Sequence, residues 1–385
     1  MACPPWAEGG VRAAPPAQGT SAPLAPPIQP AAAHVAADPD ALDAIYAGAA
    51  PGHTYLREGQ PNAAALAKRI DAMEGARGGV ITGSGMAAVT LAALATLGAG
   101  DHVVVAAGLY GRSLRLVEAE LPRLGVAVTL ADATDAEAVA SALRPETRLV
   151  LVETISNPML RIADIPAIAA ALAGTGARLA VDNTFATARG LCPLAAGADI
   201  VIHSVTKMLA GHSDVTLGYV ASSEPALAGR MAELAATLGM TPSAGDCWLA
   251  ERGMMTFDLR LDRAEATARA LAAHLPGRPG VREVIHPSRP DHPDAARAEA
   301  LLGGRTGAIV TLRLAGGRAA ANAFTRASGL PFAPTLGDVA TTLSHPLSSS
   351  HRSLAPAACA AMGLDEGVFR ISVGIEDPVW LIARI

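Results

Sequence analysis

Seven short apolar runs separated by Ala/Leu-rich stretches of helical texture limit the folds open to this chain. The runs are Gly79 to Thr82, His102 to Ala106, Val126 to Leu130, Arg148 to Glu153, Arg178 to Asp182, Asp199 to His203 and Leu217 to Ala221. They are nearly continuous in apolar residues rather than alternating, as strands buried on both faces are. The intervening stretches are long enough for helical crossovers, so the spacing predicts an α/β fold with a mostly parallel seven-stranded sheet and right-handed connections. Pro61 opens a predicted helix through Glu74, with Leu66, Ile70 and Met73 on one face. After about residue 240 the pattern changes. A helical stretch over 246–275 precedes runs at Val281 to His286, Ala308 to Leu314 and Phe369 to Val373, which reads as a smaller α+β domain. The expected division is an extended Ala/Pro-rich N-terminal arm over 1–50, a large domain over 51–240 and a C-terminal domain over 241–385.

Composition narrows the function. At 385 residues and 51% apolar content the chain can bury a large core, and two domains are the natural division. A net charge of −5 gives no reason to expect nucleic acid or an anionic membrane as partner. The uncharged segment 78–100 is rich in glycine and reads as strand, turn and helix rather than a membrane span. Cys3, Cys192, Cys247 and Cys359 are scattered without metal-ligand spacing, so the expectation is a cytoplasmic protein without structural zinc.

Of the 30 Lys and Arg residues only two are lysines, Lys68 and Lys207. Arginine serves most surface roles but cannot give up its proton. Lys207 ends the string Ser204-Val205-Thr206-Lys207, just beyond a buried run. An amine there can be desolvated into a nucleophile, which suggests a Schiff-base lysine. Three more strand ends carry chemistry, where open α/β sheets place ligands. Gly83-Ser84-Gly85-Met86-Ala87-Ala88 opens a helix and suits an anion; it fits a phosphate cradle, a dinucleotide GxGxxA site or a plain tight turn. The acid that a dinucleotide site wants at the end of the next strand is absent. Tyr110 can stack on a flat ring. Asp182 closes an apolar strand and needs a partner, such as a protonated pyridine nitrogen. Phosphate cradle, stacking ring, buried acid and nucleophilic lysine, in order on successive strand ends, are together the parts that pyridoxal 5′-phosphate (PLP) requires.

With these residues the chain resembles the cystathionine γ-synthase/γ-lyase family of Cys/Met-metabolism PLP enzymes, from about residue 50 to the C-terminus. The most specific string is ADIVIHSVTKMLAGHSDVTLG, ending at Gly218. Val181 to Thr187, Glu153 to Pro158 and Arg370 to Asp377 also match. The resemblance implies the aspartate aminotransferase-like fold of PLP-dependent transferases, fold type I. It further implies that Lys207 carries the cofactor and that Asp182 meets its ring nitrogen. Tyr110 would stack on the ring, with Thr184 and Asn157 beside the cofactor. Gly85, Met86, Ser204 and Thr206 would hold the phosphate, joined by Tyr55 and Arg57 from the neighbouring subunit of a homodimer or homotetramer. Arg370 and Thr335 would bind the carboxylate of a small amino-acid substrate.

The implied reaction is γ-elimination or γ-replacement on a sulfur-containing or O-activated homoserine-type amino acid. The alternatives are a β-eliminating carbon–sulfur lyase or an aminotransferase on the same fold, and more remotely an NAD(P)-dependent oxidoreductase. The family's Ser-Leu-Gly reads Thr335-Leu336-Gly337 here. Pro334 stands where cystathionine-handling members commonly carry a Glu, and Gly337-Asp338-Val339 looks more like methionine γ-lyases and homoserine-ester sulfhydrylases. Where methionine γ-lyases carry a Cys after Tyr-Gly, this chain has Arg112. Arg112 or Arg115 is therefore expected to meet an anionic distal group on the substrate.

Overall fold

The computed structural model describes residues 23–385. All seven apolar runs form strands: β1 (Val80–Thr82), β2 (His102–Ala106), β3 (Ala127–Ala131), β4 (Thr147–Glu153), β5 (Arg178–Asp182), β6 (Ile200–His203) and β7 (Gly218–Ser222). They make one sheet in the order β1-β7-β6-β5-β4-β2-β3. β7 runs antiparallel to both its neighbours, and the other pairs are parallel. The central strands are apolar because both faces are covered. Val103, Val104, Val105, Val150 and Val201 are all buried, each contributing about 1.5–3 kcal/mol relative to exposure. The edge strand β3 has half-exposed positions and Thr129.

The second sheet is wholly antiparallel, in the order β10-β11-β9-β8, from β8 (Val281–Ile285), β9 (Ile309–Leu314), β10 (Thr342–Ser344) and β11 (Val368–Ser372). It has its own apolar cluster around Leu271, Leu312 and Phe369, with Phe324 edge-on to Phe369 at 5.2 Å.

The predicted helix Pro61–Glu74 forms with those bounds and ends on Gly75, whose φ of +67° suits a residue without a Cβ. The helical stretch expected over 246–275 divides into Ala244–Met254 and Phe257–His274. The N-terminal arm is less extended than expected. Residues 1–22 of it, and with them Cys3, lie outside the described residues. In the remainder, Asp38 caps a helix Pro39–Tyr46. The Pro26 and Pro27 carbonyls accept bonds from Trp248 and Asn62 of the same chain. Cys247 and Cys359 are buried free thiols. Among the described residues no helix is long and apolar enough to cross a membrane.

Candidate active site

A cavity of about 620 Å³ opens at the carboxyl ends of the large sheet and is roofed by the segments around Thr335, Ser349 and Arg370. Its floor is assembled from strand ends. After β1, Ser84 caps the helix Gly85–Thr96, its hydroxyl accepting the Ala87 N–H at 3.1 Å. This leaves first-turn N–H groups and the positive helix end facing the cavity wall, where an anion is favoured. Gly85 is required by close approach: a Cβ there would lie 2.7 Å from Ser204 Cβ. The turn after β6 is thereby packed on the helix end, so Gly85, Met86, Ser204 and Thr206 converge. Thr206 is fixed by exchanging hydrogen bonds with the Leu217 backbone.

Asp182 ends β5. Its Oδ1 accepts the Thr184 N–H at 3.0 Å and the Thr184 hydroxyl at 2.5 Å, while the same hydroxyl oxygen accepts the Ser204 N–H at 2.8 Å. Thr184 thus ties the acid to the β6 turn. Burial raises the Asp182 pKa, and the Thr184 bonds and the nearby His203 oppose that rise. Beneath the floor, Glu74 Oε1 binds His203 Nε2 at 2.5 Å and the Asn183 amide at 3.0 Å. The Asn183 carbonyl oxygen accepts from Thr154 at 2.8 Å. This buried network holds the ends of β4, β5 and β6 together.

Lys207 projects from the turn after β6, with Nζ 3.5 Å from Thr335 Oγ1. Burial, and then the charge of Arg370, lower its pKa from 10.5 to about 8. The amine is therefore partly neutral near physiological pH, which an exposed lysine is not. Thr335 reaches Lys207 because Gly337, at φ +80°, lets the roof segment descend; a Cβ there would sit 2.7 Å from the Met208 nitrogen. Arg370, in the middle of β11, is 3% exposed. It donates to Asn157 Oδ1 and to the Thr335 carbonyl, both at 2.9 Å. Burial lowers its pKa to about 10, which leaves it charged at neutral pH. Its Nε is buried without a partner.

Tyr110, Arg112, Asn157 and Thr184 also line the cavity. Arg115 does not. It lies on the surface, 3.5 Å from Glu120, an acidic neighbour that the short helix Gly111–Arg115 leaves within reach. Tyr55 and Arg57 also lie outside the cavity of their own chain. Tyr55 is 47% exposed, and the Arg57 guanidinium stands 5.5 Å from its ring centroid. Sequence reasoning did not single out Glu153, the Ser348–Ser350 run or Arg352, all of which line the cavity. Glu153 had a signal, since it closes a buried strand as Asp182 does. The dinucleotide reading loses ground as well: β1 is an edge strand paired only with the antiparallel β7.

A family model described as Cys/Met metabolism PLP-dependent enzyme matches residues 10–385. Cystathionine β-lyase MetC of Bacillus subtilis is 37% identical over 324 residues, 84% of this chain and 83% of that protein. Cystathionine γ-synthase of Escherichia coli is 37% identical over 337 residues, 86% of each. A crystal structure of cystathionine γ-synthase from Xanthomonas oryzae pv. oryzae in complex with cystathionine superposes with a TM-score of 0.89 at 36% identity, covering 94% of this chain and 91% of that one. The chain belongs to the Cys/Met-metabolism family of PLP-dependent enzymes and is a trans-sulfuration enzyme of fold type I.

Proposed function

We propose that the protein catalyses γ-elimination or γ-replacement on a homoserine-type amino acid whose distal group is anionic. The observation that carries this reading is the desolvated Lys207 amine, held beside Thr335 and Arg370 in a cavity that also contains Asp182 and Arg112. The residues fit PLP. Gly85 leaves a cradle that a side chain would fill, and the buried Arg370 Nε has a donor to spare. Gly85, Met86, Ser204 and Thr206 would take the phosphate, Tyr110 would stack on the ring, Asp182 would pair with the ring nitrogen and Asn157 would lie beside the cofactor oxygen. Lys207 would hold the aldehyde carbon covalently. When bound, PLP supplies an electron sink for the substrate's Cα.

The remaining work falls to the chain's own groups. Arg370, backed by Asn157 and Thr335, would grip the substrate carboxylate through its planar fork. Lys207 Nζ, once released, would take the proton from Cα, which demands a neutral amine. The carboxylate of Asp182 would keep a proton on the ring nitrogen. Arg112, exposed on the cavity side of its helix, would meet the distal anion; Arg115 is less well placed. Departure of the γ substituent followed by hydrolysis gives 2-oxobutanoate and ammonia, whereas addition of a thiol gives the replacement product.

Tyr55 and Arg57 would complete the phosphate site of the adjoining subunit in a homodimer or homotetramer. Their outward position supports this, as do the exposed Leu24, Val35 and Tyr46 on the same flank of the sequence. The domain bounds 51–240 and 241–385 and a cytoplasmic location belong to the same proposal.

The test is product analysis with cystathionine, O-succinylhomoserine and methionine, together with peptide mapping after borohydride reduction. The expected outcome is 2-oxobutanoate, with the reduced adduct on Lys207. Pyruvate would indicate β-elimination. A preference for methionine that Arg112→Ala leaves unchanged would remove the anionic-group assignment.

A further inference from the structure

Glu153 closes β4 and Asp182 closes β5, and the two are direct partners in the parallel register. Two carboxyl groups thus stand side by side at the floor of the cavity, both along its lining. Their surroundings differ. Asp182 is tied by the N–H and the hydroxyl of Thr184 and feels the nearby His203. Glu153 Oε1 accepts the Tyr110 N–H at 2.9 Å, but Oε2 is closed off from solvent and has no hydrogen-bond partner. Two adjacent carboxylates in such a place cannot both stay ionised at ordinary cost. Asp182 has the nearby His203 in addition to its two Thr184 bonds, and the unpartnered oxygen is on Glu153.

We propose that Glu153 is kept protonated in the working enzyme and acts as a positioning residue, fixing the Tyr110 backbone while leaving Asp182 the one negative charge at the floor. This rests on the reading of Asp182 as partner of the cofactor's ring nitrogen. A ring nitrogen facing two anions would be held too strongly, and one facing a shared proton too weakly. Burial and the Asp182 charge both push Glu153 upward, well above the usual carboxylate range, while the backbone amides of Tyr110 and Asn157 oppose them. The other titratable or charged groups around the pair are Tyr110 after β2, His203 and Lys207 on and after β6, Arg370 on β11, and His351, whose surroundings include Asn157 and Arg370. Lys207 rises from the floor, on the turn after β6, whereas Arg370 reaches the cavity from β11 on the roof side. Glu153 also borders a second, largely apolar cavity of about 260 Å³, lined by Leu114, Leu130, Met159 and Met362 and carrying Glu118, Asp132 and Arg161 as its charged groups.

Infrared spectra of the wild-type holoenzyme and Glu153→Gln, recorded at neutral pH, test the proton directly. A protonated-carboxyl band present in the wild type and lost in E153Q is expected. No such band in the wild type, or a band that survives in E153Q, overturns the proposal. The pH dependence of cofactor absorbance gives a second readout. E153Q, neutral and nearly isosteric, should keep the wild-type midpoint. Glu153→Ala should weaken PLP binding about 10–100-fold, because the Tyr110 N–H loses its acceptor. A shift of a full pH unit in E153Q means that Glu153 is ionised and overturns the proposal. Asp182→Asn is measured alongside: if it leaves the absorbance unchanged, the reading of Asp182 fails. If it alters the absorbance and E153Q does so too, only the assignment of the proton fails.

Discussion

Arg370 at the depth of the cavity and the arginines at its rim, Arg112 and Arg352, are the same residue type under opposite conditions. Arg370 is buried and already bonded to Asn157 and Thr335. Arg112 and Arg352 are exposed, and among the described residues neither side chain has a hydrogen bond or an ion pair. The two rim arginines are brought to one edge because Gly111 packs directly on the Ser350–His351 backbone; a Cβ at Gly111 would lie 2.3 Å from the Ser350 carbonyl oxygen. A buried, pre-oriented charge loses little on binding and recognises strongly, whereas a solvated one is screened and contributes modestly. The depth is thus suited to what all substrates share, and the rim to what distinguishes them.

The sharpest way to break this contrast is at the deepest point. Lys207→Ala should lower kcat about 10⁴-fold or more, and Lys207→Arg should be as inactive, because guanidinium stays charged. Steady-state kinetics with an intact circular dichroism spectrum checks this. Next, Arg370→Ala should reduce kcat/KM about 10²-fold or more, with every amino-acid substrate affected alike. A loss confined to one substrate would move Arg370 from the shared to the discriminating class.

The pH dependence follows in size. Lys207 has its folded-state pKa depressed to about 8, so the neutral amine predominates above that value and falls about tenfold per pH unit below it. The rate at which apoenzyme captures PLP, followed by absorbance, should therefore rise with pH and level off above about 8. The smallest expected effect is at the rim. Arg112→Ala or Arg352→Ala should cost about 3–10-fold in kcat/KM for substrates with a distal anion, shrink as salt is added, and leave methionine nearly untouched. An equal loss for methionine would mean that the rim shapes the cavity rather than reading charge.

Much of this organisation was legible in the residues. The seven large-sheet strands fall within a residue or two of their apolar runs, since a strand buried on both faces has little freedom in composition. Lys207, Asp182 and Tyr110 converge because strand ends in such sheets do, and Arg370 joins them from the middle of β11 in the second sheet. The direction of β7 was not legible, because a five-residue apolar strand reads the same whichever way it runs. The three-residue β10 carries too little pattern to stand out. Met255 and Thr256 interrupt the helical stretch without a proline or an obvious cap. Glu153 has the same local grammar as Asp182; what separates them is that Asp182 is bonded by Thr184 two residues on, whereas Glu153 accepts from Tyr110 on a distant segment. The outward placement of Tyr55 and Arg57 likewise depends on packing that no local spacing records.

The scarcity of lysine has a practical consequence. Beyond Lys207, which is recessed in the cavity, the one other lysine side chain is the exposed Lys68 on the helix Pro61–Glu74. Amine-directed cross-linkers, dyes and resin couplings thus have one accessible side-chain anchor besides the chain terminus. Tethering at that point would present every molecule to a surface in nearly the same pose, with the recessed cavity amine spared.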